Sequence, residues 1–258
     1  MPLSLIKRIA LLSILIFSFH ATTKAEGNLP YVDDKLLHFG FSLGFNSMDF
    51  GVKESGSTLD MYSKTKSTSG DPIYTLIGQG VYHASISTLS PGFSVGLITD
   101  LRINRYLNLR FTPTLNFARR ELRFTEIGTS GINHGDTISI SSIPICLPIY
   151  LKYSAERKDN YRPYLIWGVG AYYDLASNDA NPYLQLKKMD FYTEFGVGCD
   201  IYFSFFKLAP ELKFSIGIGK DNNMLNEPPT PKNEKDIVYT KALTRLTSRM
   251  LTLTFNFE

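Results

Sequence analysis

A histidine, a serine and a carboxylate can together catalyse acyl transfer, and one segment of the chain holds all three close together. His134 is followed by Asp136 and Ser139, while His38 and His83 are the other histidines after residue 25. No known nucleophile motif surrounds any of them, and histidines in polar connecting segments are usually solvated. The sequence therefore favours a protein that is not an enzyme, and an enzyme that modifies lipid A is a weaker alternative.

Other site chemistries also lack a pattern in this sequence. There is no CxxC, no HExxH and no phosphate-cradling glycine loop, so we predict no metal and no cofactor. Cys146 and Cys199 fall on opposite faces of strands that are not neighbours, which disfavours a disulfide. The net charge is only +3 over 258 residues, and no basic stripe is present, so we expect no nucleic-acid partner.

Charged residues recur at alternate positions on the polar side of alternating stretches. Five are positive and four are negative: Asp100, Arg102, Arg110, Lys152, Glu194, Asp200, Lys207, Glu211 and Lys213. Such nearly balanced charges can pair inside a narrow enclosure. We predict a structural ion network formed by Arg110, Lys152, Glu194, Asp200, Glu211 and Lys213. A path for protons or substrate is the alternative use of these residues.

Eight stretches carry these charges, and each alternates apolar residues with small or polar ones. They span 37–50, 92–102, 107–118, 138–153, 161–174, 191–202, 207–218 and 251–257. A tilted strand needs roughly 9 to 11 residues to cross the hydrocarbon of a membrane, and alternation places one face in lipid. The predicted fold is all-β, an eight-stranded antiparallel up-and-down transmembrane β-barrel.

The segments between these stretches alternate long and short. In bacterial barrels the short turns are periplasmic, so the long segments are predicted to lie outside the cell. These long segments are 51–91, 119–137, 175–190 and 219–248. No linker interrupts the pattern, so residues 26–258 are predicted to form one outer-membrane β-barrel domain.

The first 25 residues read as a secretory signal peptide. Lys7 and Arg8 precede an apolar run at 9–19, and small residues lead to a cleavage site near Ala25. The run is shorter than the roughly twenty residues that a spanning helix requires. We therefore predict export through a cleaved signal peptide and a location in the cell outer membrane.

A secreted lipocalin-like barrel would show the same alternation with its apolar face turned inward. The charges decide against it, because each Lys or Arg on a lipid face would cost about 2 to 4 kcal/mol at mid-membrane. Four prolines, Pro113, Pro144, Pro148 and Pro210, lie inside predicted strands and conflict with regular pairing. Bulges near the rims would accommodate some of them.

Two further features predict partners. Phe255 and Phe257 lie next to the last residue, Glu258, as an aromatic signal of the kind that barrel-assembly machinery recognises during insertion. The last long segment and the strand after it are basic, which suits contact with outer-membrane lipid and anionic lipopolysaccharide, or docking of a protein. The basic residues are Lys232, Lys235, Lys241, Arg245 and Arg249.

Short motifs along nearly the whole chain resemble the PorT (SprT) family of Bacteroidetes, within the wider group of outer-membrane β-barrel domains. They are Asp34-Lys35, His38-Phe39-Gly40, Met48-Asp49-Phe50, Pro91-Gly92-Phe93, Leu109-Arg110-Phe111-Thr112-Pro113, Leu151-Lys152-Tyr153, Tyr161-Arg162-Pro163-Tyr164, Phe191-Tyr192-Thr193-Glu194, Pro210-Glu211-Leu212-Lys213-Phe214 and Asn256-Phe257-Glu258. The resemblance implies an accessory role in the type IX protein secretion system, which exports surface proteases or gliding adhesins, with other secretion-system proteins as partners. A generic barrel for adhesion or envelope stability is the alternative.

Overall fold

The computed structural model describes residues 28–29, 32–54, 58–66, 72–86, 91–128, 133–176, 186–219, 223–225 and 243–258. The predicted signal peptide lies outside them. They form a 3-10 turn at Val32–Asp34 and the strands β1 (Leu37–Glu54), β2 (Thr58–Lys66), β3 (Pro72–Ile86), β4 (Pro91–Arg102), β5 (Leu107–Phe111), β6 (Thr114–Gly128), β7 (Asn133–Ser142), β8 (Pro144–Ser154), β9 (Tyr161–Asp174), β10 (Met189–Tyr202), β11 (Lys207–Gly217) and β12 (Leu243–Phe257). No helix in this part of the chain is long and apolar enough to cross a membrane.

The twelve described strands amount to eight barrel strands, because β1–β2, β3–β4, β5–β6 and β7–β8 are each two segments of one longer strand. The register that pairs Ser47 of β1 with Pro91 of β4 is found again between Lys66 and Pro72 at the far ends of β2 and β3, beyond a one-residue shift between Met61 and Tyr62. The segments β5–β6 likewise face β7–β8 in one register. β1 pairs with both β4 and β12, which closes the sheet. The predicted antiparallel up-and-down barrel is confirmed.

The long connections are partly strand, which corrects the prediction that 51–91 and 119–137 are loops. β3 pairs with β6 outside the barrel proper, so that β2, β3, β6 and β7 form one four-stranded sheet on the side of the long connections. We call these four strands the external sheet. Pairing of backbone groups requires no apolar pattern, so the two hairpins continue beyond the point where alternation stops predicting them.

Large apolar side chains cover the outside of the barrel. Leu97 is 65% exposed and Phe205, in a short turn, is 93% exposed. Other exposed apolar residues on the strands include Phe39, Phe41, Phe45, Phe93, Ile149, Leu165, Val169, Phe195, Val197, Leu212 and Leu251. The residues between them point inward and are mostly buried, which is the arrangement of a membrane barrel.

Toward the external sheet the polarity of the two faces reverses, so that the inward residues are apolar and charged residues lie on the outward face. In β6 the buried inward residues become Leu122 and Phe124, whereas Arg119 and Glu121 alternate with them on the opposite face. Phe50 in β1 is also inward and buried. Charged residues outside and apolar residues inside are the pattern of a sheet in water. The reversal therefore marks the level at which the strands leave the hydrocarbon.

Two of the four prolines fall where a strand is interrupted or begins, whereas Pro148 and Pro210 lie inside β8 and β11 as the sequence predicts. Pro113 lies between β5 and β6, and Pro144 begins β8. Pro148 lies inside β8, opposite the same interruption, where the Thr112 N–H reaches its carbonyl at 3.5 Å. Pro113 and Pro148 therefore lie at facing positions, and one gap in the ladder of backbone hydrogen bonds accommodates both.

Candidate functional site

Arg110 on β5 is the hub of an ion network in the half of the barrel interior that is nearer the short turns. Its Nε and Nη2 donate to Asp100 Oδ2 at 2.9 and 2.7 Å, and Nη2 also donates to Glu258 Oε1 at 2.7 Å. Nη1 lies 3.4 Å from Glu211 Oε2. Arg110 is 1% exposed, so three carboxylates compensate a charge that water does not reach.

Glu258 joins this network, although sequence analysis placed it only beside the aromatic signal. Its carboxylate also lies 2.6 Å from Lys207 Nζ, and its side chain is 2% exposed. It continues the inward side of β12, after the buried Thr254 and Asn256. Glu258 lies two positions after Asn256, so the alternation along β12 would have predicted that its side chain points into the interior.

Lys152 and Asp200 form a second buried pair. Lys152 Nζ donates to both carboxylate oxygens of Asp200, at 2.9 and 2.8 Å. The same ammonium lies 4.0 Å from the centre of the Tyr164 ring, close enough for a cation–π contact. The ammonium is thus satisfied by a carboxylate and an aromatic face, and the carboxylate is satisfied by the ammonium.

Lys213 pairs with Glu211, and two tyrosines donate hydrogen bonds to Glu211 and Glu194. Its Nζ lies 3.1 Å from Glu211 Oε1, and the Tyr164 hydroxyl donates to Glu211 Oε2 at 2.8 Å. The Tyr150 hydroxyl donates to Glu194 at 2.7 Å. The structure thus brings the six predicted network residues together, with both tyrosines as added donors. Alternation predicts that both tyrosines point inward. Their side chains carry no charge, so nothing in the sequence indicated that they belong to an ion network.

Two glycines make room for the tyrosine rings. A Cβ added to Gly168 would lie 2.4 Å from Tyr150 Cδ1, and one added to Gly198 would lie 2.4 Å from Tyr164 Cζ. Real Cβ atoms do not approach so closely, so only glycine lets the rings lie flat against the neighbouring strands. These glycines thereby position the hydroxyls that reach Glu194 and Glu211.

The set of charged groups in the network differs from the predicted set of five positive and four negative groups. Arg102 lies at the rim that carries the short turns, where its side chain is 27% exposed and pairs with Asp34 at 2.9 Å. Glu258 takes a place inside. In the described part of the chain the network therefore has four cations and five carboxylates: Arg110, Lys152, Lys207, Lys213, Asp100, Glu194, Asp200, Glu211 and Glu258.

The interior is filled above and below this network. A cavity of about 20 Å³ beside Glu194 and Lys213 is the size of a single water site. Above it, buried apolar residues such as Phe50, Leu122 and Tyr172 form a core that sequence analysis did not predict. The described residues thus plug the barrel with their own side chains, as expected for eight strands.

The mouth of the barrel on the side of the short turns is covered by the segment before β1. The Tyr202 hydroxyl donates to Asp33, and the Asn28 side chain donates to the Tyr202 carbonyl at 3.0 Å. Arg157 lies over the Tyr202 ring at 3.7 Å. Nearby, Tyr106 in the turn between β4 and β5 donates a hydrogen bond to Glu156 in the turn between β8 and β9, and this carboxylate raises the pKa of the phenol.

The histidines lie apart from one another. His38 Nε2 contacts the Val32 carbonyl at 2.7 Å, and His83 Nδ1 contacts Glu54 at 3.0 Å. The His134 side chain lies outside the described residues. Among the side chains that are described, no three His, Cys, Asp or Glu residues group as they would around a metal ion. Cys146 and Cys199 are both free, as expected.

The two aromatic residues of the predicted assembly signal lie at the seam where the barrel closes. Phe257 stacks on Phe41 of β1 with ring centres 4.9 Å apart, and Phe206 lies 6.2 Å from it on the other side. Phe255 pairs with Leu43 of β1 across the same seam. Recognition of this pair by assembly machinery stays a prediction.

A closed antiparallel barrel with an apolar exterior and an ion-filled interior defines an outer-membrane β-barrel protein. The chain belongs to the family described as outer membrane protein beta-barrel domain, whose model matches residues 24–220. This membership agrees with a location in the outer membrane.

Three solved structures are similar to this chain, and two of them are described as outer membrane proteins. AlkL in DMPC lipid bilayers is 14% identical, with 93% of this chain and 95% of that chain covered and a TM-score of 0.33. OprG from Pseudomonas aeruginosa is 14% identical, with 85% and 92% covered and a TM-score of 0.35. The NanC porin is 10% identical, with 85% and 99% covered and a TM-score of 0.24. A search of curated proteins found no match.

Proposed function

We propose that this barrel is a non-enzymatic accessory component of the type IX protein secretion system, acting through its surfaces. The observation that carries the proposal is the filled interior. Arg110, Lys152 and Glu211 are each at most 2% exposed and are tied to one another across the barrel. Protein cargo cannot pass such an interior, so a role in secretion has to be scaffolding, assembly or cargo handling.

The external sheet supplies a contact surface for such a role. It extends two hairpins beyond the barrel, and β2 pairs only with β3 among the described strands. An edge strand with free backbone groups can add a strand from a partner protein. Other secretion-system proteins are the partners that this proposal implies.

The resemblance to the PorT family supports the choice of secretion system. Two of the motifs that carry it contain Arg110 and Lys152, and a third contains Glu211 and Lys213. The residues that carry the resemblance therefore include those that plug the barrel. A family member that is plugged in this way would serve the secretion system without being its channel.

Deleting the gene tests the proposal. We expect cargo with the C-terminal secretion signal to disappear from the medium and to accumulate in the periplasm, as measured by immunoblotting of both fractions. The full-length gene should restore secretion, whereas a version lacking residues 60–78, the outer part of the β2–β3 hairpin, should insert but fail to restore it. Crosslinking in outer membranes followed by mass spectrometry would identify the partner.

Normal secretion after deletion would overturn the proposal, and two other readouts would then discriminate between the alternatives. Altered surface adherence or detergent sensitivity would favour the generic adhesion or stability barrel. A changed lipid A mass spectrum would favour an enzyme. Restoration by the version lacking residues 60–78 would exclude the external sheet as the contact surface.

A further inference from the structure

Three exposed cations lie together on the outward face of β1 and β12. We call these residues, Lys53, Arg245 and Arg249, the basic patch. Lys53 and Arg245 are direct cross-strand partners. Like charges at directly opposite positions of an antiparallel pair destabilise it. An anion bound between the two side chains would remove this repulsion.

The Arg249 side chain extends along the sheet toward the other two cations. A Cβ added to Gly51 would lie 2.8 Å from Arg249 Nε and 2.9 Å from its Nη2, so the guanidinium lies over the Gly51 backbone. Gly51 precedes Lys53 by two residues, and its partner Thr247 follows Arg245 by two. Residues on one face of a strand follow one another at about 7 Å, so all three cationic groups can reach a single anion.

The carboxylates near the basic patch leave it positively charged. Among the described side chains, no carboxylate forms an ion pair with any of the three cations. Asp49, the cross-strand partner of Arg249, interacts with it only electrostatically. Glu54, the neighbour of Lys53, is bound to His83 and to the Ala84 N–H. The three cations and Asp49 together carry a charge of +2.

The basic patch lies at the level where the outward face stops being apolar. The last large apolar residues on this face are Phe45 of β1 and Leu251 of β12, both exposed. Arg249 is the next outward residue after Leu251, and its partner on β11 is the exposed Ile216. A molecule bound here therefore has cations beside its head and an apolar surface beside its tail.

We propose that the basic patch binds a phosphate group of lipid A, whose acyl chains lie along Leu251 and Ile216. A phosphate monoester carries a charge of about −1.5 to −2, which balances the patch. Its oxygens can accept two hydrogen bonds from a guanidinium and further ones from an ammonium group. A carboxylate has a single charge and would leave part of the repulsion between Lys53 and Arg245.

Lipid A is the phosphorylated lipid that fits the predicted orientation. The patch lies on the side of the long connections, which are predicted to be outside the cell, where lipopolysaccharide forms the membrane surface. Contact with lipopolysaccharide was predicted for Arg245 and Arg249, and the structure adds Lys53 beside them. The other residues of that prediction, Lys232, Lys235 and Lys241, lie outside the described residues.

Native mass spectrometry of the whole barrel in a non-ionic detergent tests the site. We expect saturable binding of lipid A. Lipid A without its phosphates has the same chains and should bind about tenfold more weakly. Inorganic phosphate has the charge without the chains and should not displace lipid A at equal concentration. Equal binding of the two forms, or displacement by inorganic phosphate, would overturn the proposal.

Paired variants assign the binding to the basic patch. Lys53→Gln with Arg249→Gln should weaken lipid A binding about tenfold. Arg105→Gln with Lys158→Gln removes the same charge from exposed residues at the opposite rim and should leave binding unchanged. Equal weakening by both pairs, or no weakening by the first, would overturn the proposal. The two forms of lipid A on the wild type keep the test decisive if a variant does not fold. Neither readout involves secretion, so this proposal stands or falls separately from the proposed function.

Discussion

Replacing Arg110 with methionine should destabilise the barrel by about 3 to 5 kcal/mol, the usual effect of removing one partner from a buried ion cluster. Asp100, Glu211 and Glu258 would keep their negative charges in a space from which water is excluded. The hydrophobic volume of the side chain is nearly retained, so the loss reports charge and not packing. Urea unfolding of the protein in lipid vesicles, followed by its heat-dependent shift on gels, measures this change.

Arg105→Met is the matched control for this variant. Arg105 lies in a short turn and is 70% exposed at its side chain, which pairs with Glu156 at 3.4 Å and lies 5.7 Å from the centre of the Tyr106 ring, so its loss should cost at most about 1 kcal/mol. Adding Asp100→Asn and Glu258→Gln to Arg110→Met should recover part of the stability, because the uncompensated carboxylates are then removed. If Arg110→Met unfolds at the same urea concentration as Arg105→Met, the network does not hold the barrel together.

Placing an arginine on the outer face should have the second large effect. Leu97 lies in the middle of β4 beside Phe41 and is 65% exposed, so Leu97→Arg would put a charge into the hydrocarbon. The expected loss is about 2 to 4 kcal/mol near the membrane midplane. The same urea unfolding in vesicles measures it.

Phe205→Arg is the matched control for Leu97→Arg. Phe205 is even more exposed, at 93%, but it lies in the turn between β10 and β11. There an arginine reaches the interface and should cost only about 0 to 1 kcal/mol. Equal effects of the two substitutions would mean that Leu97 does not face lipid.

Alternation along the sequence predicted the barrel and most of its interior because lipid imposes a strict rule on every second residue. Strand β9 begins and ends as predicted, at Tyr161 and Asp174. Its one apparent exception, Ile166, is an inward residue that packs with Tyr150 and Tyr164. The inward face of a barrel can therefore hold an apolar residue without breaking the pattern.

The parts of the strands that extend beyond the hydrocarbon were not predicted, because strands in water carry the opposite pattern, with apolar residues inward and charged residues outward. The predicted third strand ended at Ala118, just where inward residues become apolar and outward ones become charged in β6. The pattern of outward apolar residues stops there, so it does not reach Arg120, which lies two positions further. A search for the reversed pattern would have continued the strand to Leu122 and Phe124.

The most direct test of the whole account is the orientation of the two faces along β12. Single cysteines at positions 251 to 254, in a chain with Cys146→Ser and Cys199→Ser, can be treated in vesicles with a charged water-borne thiol reagent or a membrane-soluble one. Leu251 and Leu253 are exposed, whereas Thr252 and Thr254 are at most 4% exposed. We expect positions 251 and 253 to react only with the membrane-soluble reagent and positions 252 and 254 with neither. Reaction of positions 251 and 253 with the water-borne reagent, as fast as a cysteine at position 205, would contradict the account.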